Sequence, residues 1–258
     1  SDARPLRGSG DQVRVSPSKV EQFHRCALRW VLEYSGGGTT NSAQAIGNLV
    51  HELAAEAGGT VDLATLNARL AARWSTVDVG GGWFARKERE RAEQMVAKLA
   101  HWLAANRRRL VAVEQAFEVE VGRALVRGRV DRLEADDAGR LVVVDLKTGR
   151  TSPPKEGDLA GHPQLGVYQL AVERGGFAEH GTEPGGAALV HVGTTAKKPK
   201  EQSQLPLGQA GEPGWAERLV VEAAEGMAGA AFDAVRNDLC RRCPVSTSCP
   251  VSSRQVTT

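Results

Sequence analysis

Several features that would settle a protein's class early are missing from this sequence. It has no strong charge of either sign: 33 basic and 31 acidic residues leave a net charge of +2. Any nucleic-acid surface must therefore come from local clusters of Arg and Lys rather than from bulk charge. It has no apolar run approaching the length of a membrane span, which argues against a membrane protein. No signal peptide opens it, and the expected compartment is the cytoplasm. It has no internal repeat. It opens on Ser1 rather than a methionine, as a fragment of a longer chain or a trimmed chain would.

What is present is ordinary for a water-facing chain. Its 258 residues, 41% hydrophobic and 25% charged, suit one sizeable domain with a real core, or a core with elaborations. The most informative stretch is 127–150, RGRVDRLEADDAGRLVVVDLKTGR. Two apolar runs flank the turn-rich Asp136-Asp137-Ala138-Gly139, a β-hairpin pattern. The first run ends at Asp131. The second, Leu141–Val144, leads into Asp145-Leu146-Lys147. Alternation along a strand puts Asp145 and Lys147 on one face, with Asp131 leaving the neighbouring strand nearby. Two carboxylates can hold Mg²⁺ or Mn²⁺, and a lysine beside them can orient a water or neutralise a phosphate. An exposed hairpin with a surface Asp and Lys two apart would read the same way.

The rest of the chain can be placed around that hairpin. Residues 1–15 read as a flexible lead-in, with Val13–Val15 too short to assign. Ser16-Pro17-Ser18 starts a helix whose stripe is Val20, Phe23, Ala27, Trp30 and Val31, ending before Gly36-Gly37-Gly38. Further helices are expected at Ala43–Ala57, Val61–Trp74 and Arg86–Asn106. The alternation of Phe117, Val119 and Val121 with Glu118 and Glu120 gives a half-buried strand, the first of a three-strand meander completed by the hairpin. A loop at Thr151–Gly161 precedes a helix at about Pro163–Glu173, in which Gln164 and Tyr168 share a face. Ala187–Val192 is a strand expected to run parallel to its neighbour, because a helix connects them. Gly193–Gly214, with Lys197, Lys198 and Lys200, reads as a mobile loop, and Trp215–Val235 as a last helix.

Four cysteines complete the inventory. Cys240, Cys243 and Cys249 have the spacing C-x2-C-x5-C, and Cys26 lies near the other end. In a cytoplasmic protein the pattern points to a metal site more than to disulfides. All-cysteine ligation suits zinc or an iron–sulfur cluster, and spacing alone does not separate them.

Five short motifs, in order, resemble the RecB-like branch of the PD-(D/E)xK nucleases. Gly128-Arg129-Val130-Asp131-Arg132 is similar to its G-x-[IV]-D-R motif, and Asp145-Leu146-Lys147-Thr148-Gly149 to its D-x-K-[ST]-G motif. Ser16 to Cys26 is similar to the S-x-S-x-[VIL]-x-x-F-x-x-C opening. Gly47 to His51 resembles the histidine motif, and Gln164 to Tyr168 the Q-x-x-x-Y motif. The resemblance implies an α/β (α+β) fold: a restriction-endonuclease-like core with a mixed central sheet flanked by helices and an N-terminal helical elaboration. It implies a nuclease domain over 16–250, with its core at about 112–192 and a tail at 251–258. His51, Asp131, Asp145 and the Leu146 carbonyl would hold Mg²⁺ or Mn²⁺. Asp131, Asp145 and Lys147 would be catalytic, and Gln164 and Tyr168 would position DNA. The family often adds a glutamate, for which Glu88, Glu90, Glu93, Glu118 and Glu120 are candidates.

The cysteine arrangement resembles the iron–sulfur staple of AddB-type nuclease domains. This implies a [4Fe–4S] cluster on Cys26, Cys240, Cys243 and Cys249, with Zn²⁺ as the alternative. The nearest likeness is to the nuclease domain of actinobacterial AdnB-type helicase–nucleases. It implies single-stranded DNA as substrate, a role in processing double-strand breaks, and a helicase motor in the same or a partner chain; no G-x-x-x-x-G-K-[ST] loop occurs here. The competing class is a catalytically inactive nuclease-fold module that only binds DNA. Such modules usually lose the acidic pair or the lysine, and this chain has all three.

Overall fold

A computed structural model describes residues 4–36, 42–59, 62–209 and 211–251. Parts of the expected lead-in, of the glycine break after the first helix and of the tail lie outside the described residues, as does Val61. Strand β1 (Val13–Val15) falls within the stretch expected to be a flexible lead-in. Helices α1 (Pro17–Arg25), α2 (Ala27–Gly36), α3 (Ser42–Ala57), α4 (Leu63–Arg73) and α5 (Gly82–Ala105) follow. Then come β2 (Arg109–Val121), β3 (Ala124–Ala135), β4 (Leu141–Lys147), α6 (Pro163–Glu173), β5 (Pro184–His191), β6 (Lys200–Gln204) and α7 (Trp215–Ala228).

The six strands form one mixed sheet. β2, β3 and β4 make the expected antiparallel meander. β5 lies parallel to β4, as the α6 crossover requires, and β6 runs antiparallel to β5. β4 is buried almost throughout because helices cover both faces. Leu141 and Val143 pack with α6 and α7 on one side; Val142, Val144 and Leu146 pack with α3 and α5 on the other. A strand buried on two faces reads as a continuous apolar run, as Leu141–Val144 does. The architecture is the mixed α/β sheet flanked by helices that the sequence implies. Among the described residues no helix is long and apolar enough to cross a membrane.

One edge of β3 is divided between two partners. β2 takes the whole of the other edge. On the divided edge β1 pairs in parallel at 124–126 and β4 pairs at 132–135. Residues 127–131 lie in the gap between them, so β3 and β4 part as a fork beyond the Arg132–Val144 pair. Gly128 sits in that gap, and a Cβ there would meet the Phe117 ring at 2.8 Å and Pro17 at 3.2 Å.

Four elements differ from the sequence reading. The first helix is interrupted at Cys26, whose backbone is extended (φ −169°, ψ 107°). The break frees the Leu28 N–H to donate to the Asp233 carbonyl, which ties α2 to the C-terminal segment. The last helix stops at Ala228, and the lead-in takes its final carbonyls: Arg7 N donates to Ala228 O and Leu6 N to Gly229 O. The long helix starts earlier than expected, at Gly82. Finally, the supposed loop 193–214 contains β6. Its inward residues are the glutamines Gln202 and Gln204, so it has no apolar signature. They are buried because they hold the loop behind the hairpin: Gln204 Nε2 donates to Leu159 O at 2.7 Å and Gln202 Nε2 to Pro154 O at 2.9 Å.

Arg132, though it follows Asp131, turns away from the fork into a buried ionic network. Its guanidinium donates to Glu134 (2.9 Å) and to Gly58 O (2.8 Å), and lies over the Trp102 ring. Glu134 also accepts from Asn106 (2.8 Å) and Arg108 (2.7 Å), and Arg108 reaches Glu201 on β6. Removing one partner of a buried pair leaves the other charge uncompensated. Glu134→Ala is therefore expected to lower stability by about 3–5 kcal/mol in urea unfolding. A loss under about 1 kcal/mol would mean that the network does not hold the sheet to α5.

Candidate active site

The fork exposes a backbone donor that β3 would otherwise have satisfied. The Leu146 N–H, past the end of the β3–β4 ladder, donates to Asp131 Oδ2 at 2.6 Å. The other oxygen, Asp131 Oδ1, lies 3.0 Å from Nδ1 of His51 on α3. A side-chain carboxylate thus replaces the missing strand bond and joins the sheet to α3. Gly47 brings α3 in close: a Cβ there would meet Thr148 Oγ1, in the loop after β4, at 2.8 Å.

A third ligand candidate was not among the expected residues. Glu114 on β2 lies across from Asp131, between the Val113–Arg132 and Gln115–Val130 pairs. Its φ is +48°, and it is the one non-glycine residue with positive φ among the described residues. Such a conformation is costly for a non-glycine residue and clusters at functional sites. Ligand atoms of His51, Glu114 and Asp131 all lie within 4.8 Å of one another. Two ligand atoms on one Mg²⁺ at about 2.1 Å sit about 3 Å apart at a right angle, which the His51–Asp131 spacing fits. The donor set, an imidazole and two carboxylates, suits Mg²⁺ or Mn²⁺.

The five glutamates expected from the sequence are engaged elsewhere. Glu88 is buried and bonded by Arg91 and Arg150; Glu90 pairs with Lys87, Glu93 with Arg89 and Glu118 with Arg127; Glu120 accepts from Gln12. Glu114 also pairs with Arg129, at 3.4 Å; its backbone strain and its place beside His51 and Asp131 single it out, and a sequence displays neither.

Asp145 and Lys147 share a face, as the alternation requires, with Lys147 Nζ 2.8 Å from Asp145 Oδ2. Gln164 and Tyr168 come to the same carboxylate from α6. Gln164 Nε2 donates to Asp145 Oδ1 at 2.9 Å, and the Tyr168 hydroxyl donates to the same atom at 3.0 Å. Lys147 Nζ donates to Gln164 Oε1 at 2.6 Å. The amide and the phenol are both buried, and the phenol ring packs edge-on against Phe117. They grip Asp145 instead of facing outward toward a phosphate or a base.

The electrostatics follow from this packing. Burial raises the Asp145 pKa above the usual carboxylate range, with Asp131's charge adding to it, against the lowering effect of Lys147. Burial and the same two carboxylates push the Tyr168 phenol well up, so it stays a donor. Burial opposes a charged His51, but its hydrogen bond to Asp131 and the charges of Asp131, Asp145 and Glu114 outweigh that and raise its pKa. A cation at the fork would take over the stabilisation that a proton supplies there.

The cysteines converge where the α1–α2 break meets the C-terminal segment. Cys26, Cys240, Cys243 and Cys249 all line one cavity, together with Leu28, Arg29 and Asn237. Among the described residues no three cysteine sulfurs lie within 4.8 Å of one another. Four thiolates on one zinc, with bonds of about 2.3 Å, would stand about 3.8 Å apart. The four thiols are free, and their spacing favours neither zinc nor a cluster.

Over 146 residues the chain is 36% identical to the Gene 69 protein of Mycobacterium phage D29, an alignment covering 54% of this chain and 48% of that protein. The chain thus spans about half the length of that curated relative. Among solved structures it is similar to the crystal structure of SSO0001 (14% identity, TM-score 0.44, 95% of this chain and 89% of that one). It is also similar to a Eubacterium rectale protein whose given name proposes an exonuclease (12% identity, TM-score 0.47, 88% and 86%). The family model for the PD-(D/E)XK nuclease superfamily matches residues 14–250, and the chain belongs to that superfamily.

Proposed function

We propose that this nuclease hydrolyses phosphodiesters of single-stranded DNA with Mg²⁺ or Mn²⁺, as the nuclease module of a helicase–nuclease that processes double-strand breaks. The observation that carries the metal-dependent reading is the convergence of His51, Glu114 and Asp131 in the β3–β4 fork, with the Asp145–Lys147 pair beside it. His51, Glu114 and Asp131 would hold the ion, with Asp145 and the Leu146 carbonyl as further ligands. A bound ion would lower the pKa of a water and stabilise negative charge on the scissile phosphate.

The chain's own groups supply the rest. Lys147 is placed to orient the attacking water or to neutralise charge on the phosphate. Gln164 and Tyr168 are positioning residues that fix the Asp145 carboxylate by three linked hydrogen bonds. Thr148, in contact with α3 at Gly47, keeps the lysine-bearing loop against the histidine-bearing helix.

The single-stranded substrate and the helicase motor in the same or a partner chain rest on the AdnB-type resemblance, and the cytoplasmic setting on the sequence's lack of a signal peptide and a membrane-length apolar run. A [4Fe–4S] cluster on Cys26, Cys240, Cys243 and Cys249, with Zn²⁺ as the alternative, is supported by the cavity that all four line and by the AddB-type spacing. Its role would be a staple joining the α1–α2 break to the C-terminal segment.

Three outcomes are expected. Asp145→Ala or Lys147→Ala abolishes cleavage of end-labelled single-stranded DNA in Mg²⁺ or Mn²⁺ and leaves DNA binding within a few-fold; equal loss of both would remove the assigned roles. Retained binding with no cleavage in the wild type would favour the inactive DNA-binding module. Tyr168→Phe, which keeps the ring packing, lowers cleavage or metal affinity by about 10–100-fold, as loss of a partner behind a ligand does; unchanged kinetics would show that the phenol serves only the core. Protein purified without oxygen contains iron and acid-labile sulfide in equal amounts, whereas zinc without iron would replace the cluster with a zinc site.

A further inference from the structure

Trp83 and Phe84 lie in the first turn of α5, directly after Gly80-Gly81-Gly82, and are 66% and 49% exposed. Among the exposed large hydrophobic residues described, they are the only consecutive pair. Isolated apolar side chains on a surface need no explanation, but two adjacent aromatic rings in water do.

Their position supplies one. Phe84, Glu88 and Arg91 recur at helical spacings of four and three, so they share a face of α5. That face is fastened to the loop after the Asp145–Lys147 strand. Arg91 Nη2 donates to Thr148 O at 2.8 Å, and Arg150 Nη2 donates to Glu88 Oε1 at 2.8 Å. Phe84 thus stands one helical turn beyond the Glu88–Arg150 pair, roughly 10 Å along the axis from Arg91. The surrounding charge is basic. Arg86 is exposed, Lys87 is exposed and pairs with the exposed Glu90, and the Arg150 side chain is 63% exposed. The nearest carboxylate on the helix, Glu88, is buried between two arginines.

We infer that Trp83 and Phe84 are a stacking platform for the bases of a single DNA strand. Arg86, Lys87 and Arg150 flank its phosphates and lead it over the Thr148 loop into the β3–β4 fork. Stacking on aromatic faces is insensitive to sequence and needs unpaired bases, so the platform selects single strands over duplex. A protein partner would also cover two exposed rings, but a basic rim continuous with the catalytic loop matches a polyanion entering the site. The inference rests on the nuclease reading and adds the route of the substrate.

The test uses the intact chain, with labelled oligothymidylate for binding in EDTA and bis(p-nitrophenyl) phosphate, too small to span both sites, for hydrolysis in Mn²⁺. Trp83→Ala/Phe84→Ala is expected to weaken oligothymidylate binding by about 10–100-fold. It should leave the thermal midpoint and hydrolysis of the small ester unchanged, and Trp83→Tyr should keep most of the affinity. Indole fluorescence should fall on titration with oligothymidylate in the wild type and not in Trp83→Phe. Undiminished DNA affinity in the double variant overturns the platform. So does undiminished DNA affinity with altered self-association, which would reassign the rings to a protein interface. A wild type that hydrolyses the small ester but binds no oligothymidylate overturns the platform and spares the nuclease reading. One that does neither overturns both.

Discussion

The candidate site depends on a backbone hydrogen bond that a strand does not make. β3 cannot pair with β1 and β4 along the same stretch of one edge, so the sheet opens between them. A buried N–H without a partner is costly. Here Asp131 supplies the acceptor for Leu146, and the same carboxylate meets His51. The opening in the sheet, the pairing of the loose N–H and the assembly of the acidic centre are thus one event. Glu114 belongs to the same irregularity, since its left-handed backbone falls in the strand segment facing Asp131.

Around this centre the helices divide the work by face. α3 and α5 cover one side of the sheet, bringing His51 and fastening the Thr148 loop. α6 covers the other side and holds Asp145 from behind. The Arg132–Glu134–Arg108–Glu201 chain, buried at Arg132 and Glu134, then links β3, the residue before β2 and β6 on the α5 side. Consecutive residues of one motif therefore point opposite ways: Asp131 faces His51 in the fork, and Arg132 anchors the end of α3 through Gly58.

Much of this was legible in the sequence because it rests on local patterns. Period-two alternation gave the meander, the two apolar runs about a polar turn gave its hairpin, and the Asp145–Lys147 spacing put both side chains on one face. What stayed hidden depended on tertiary context. β6 is a polar strand whose buried residues are glutamines bonded to loop carbonyls, so it shows no hydrophobic period. The break at Cys26 is matched by a bond from Leu28 to the Asp233 carbonyl, more than two hundred residues away in the chain. Glu114 was passed over for five other glutamates because only its backbone angle and its place opposite Asp131 distinguish it. Gln164 and Tyr168 were rightly placed on one helix face, yet that face points inward to Asp145.

The most direct test of the central claim, that the fork is a metal centre, is anomalous diffraction from crystals of the protein grown with Mn²⁺. The account predicts a peak within bonding distance of Asp131, Glu114 and His51. A structure in which Mn²⁺ binds elsewhere, with the His51–Asp131 hydrogen bond intact and Glu114 turned away, would contradict it.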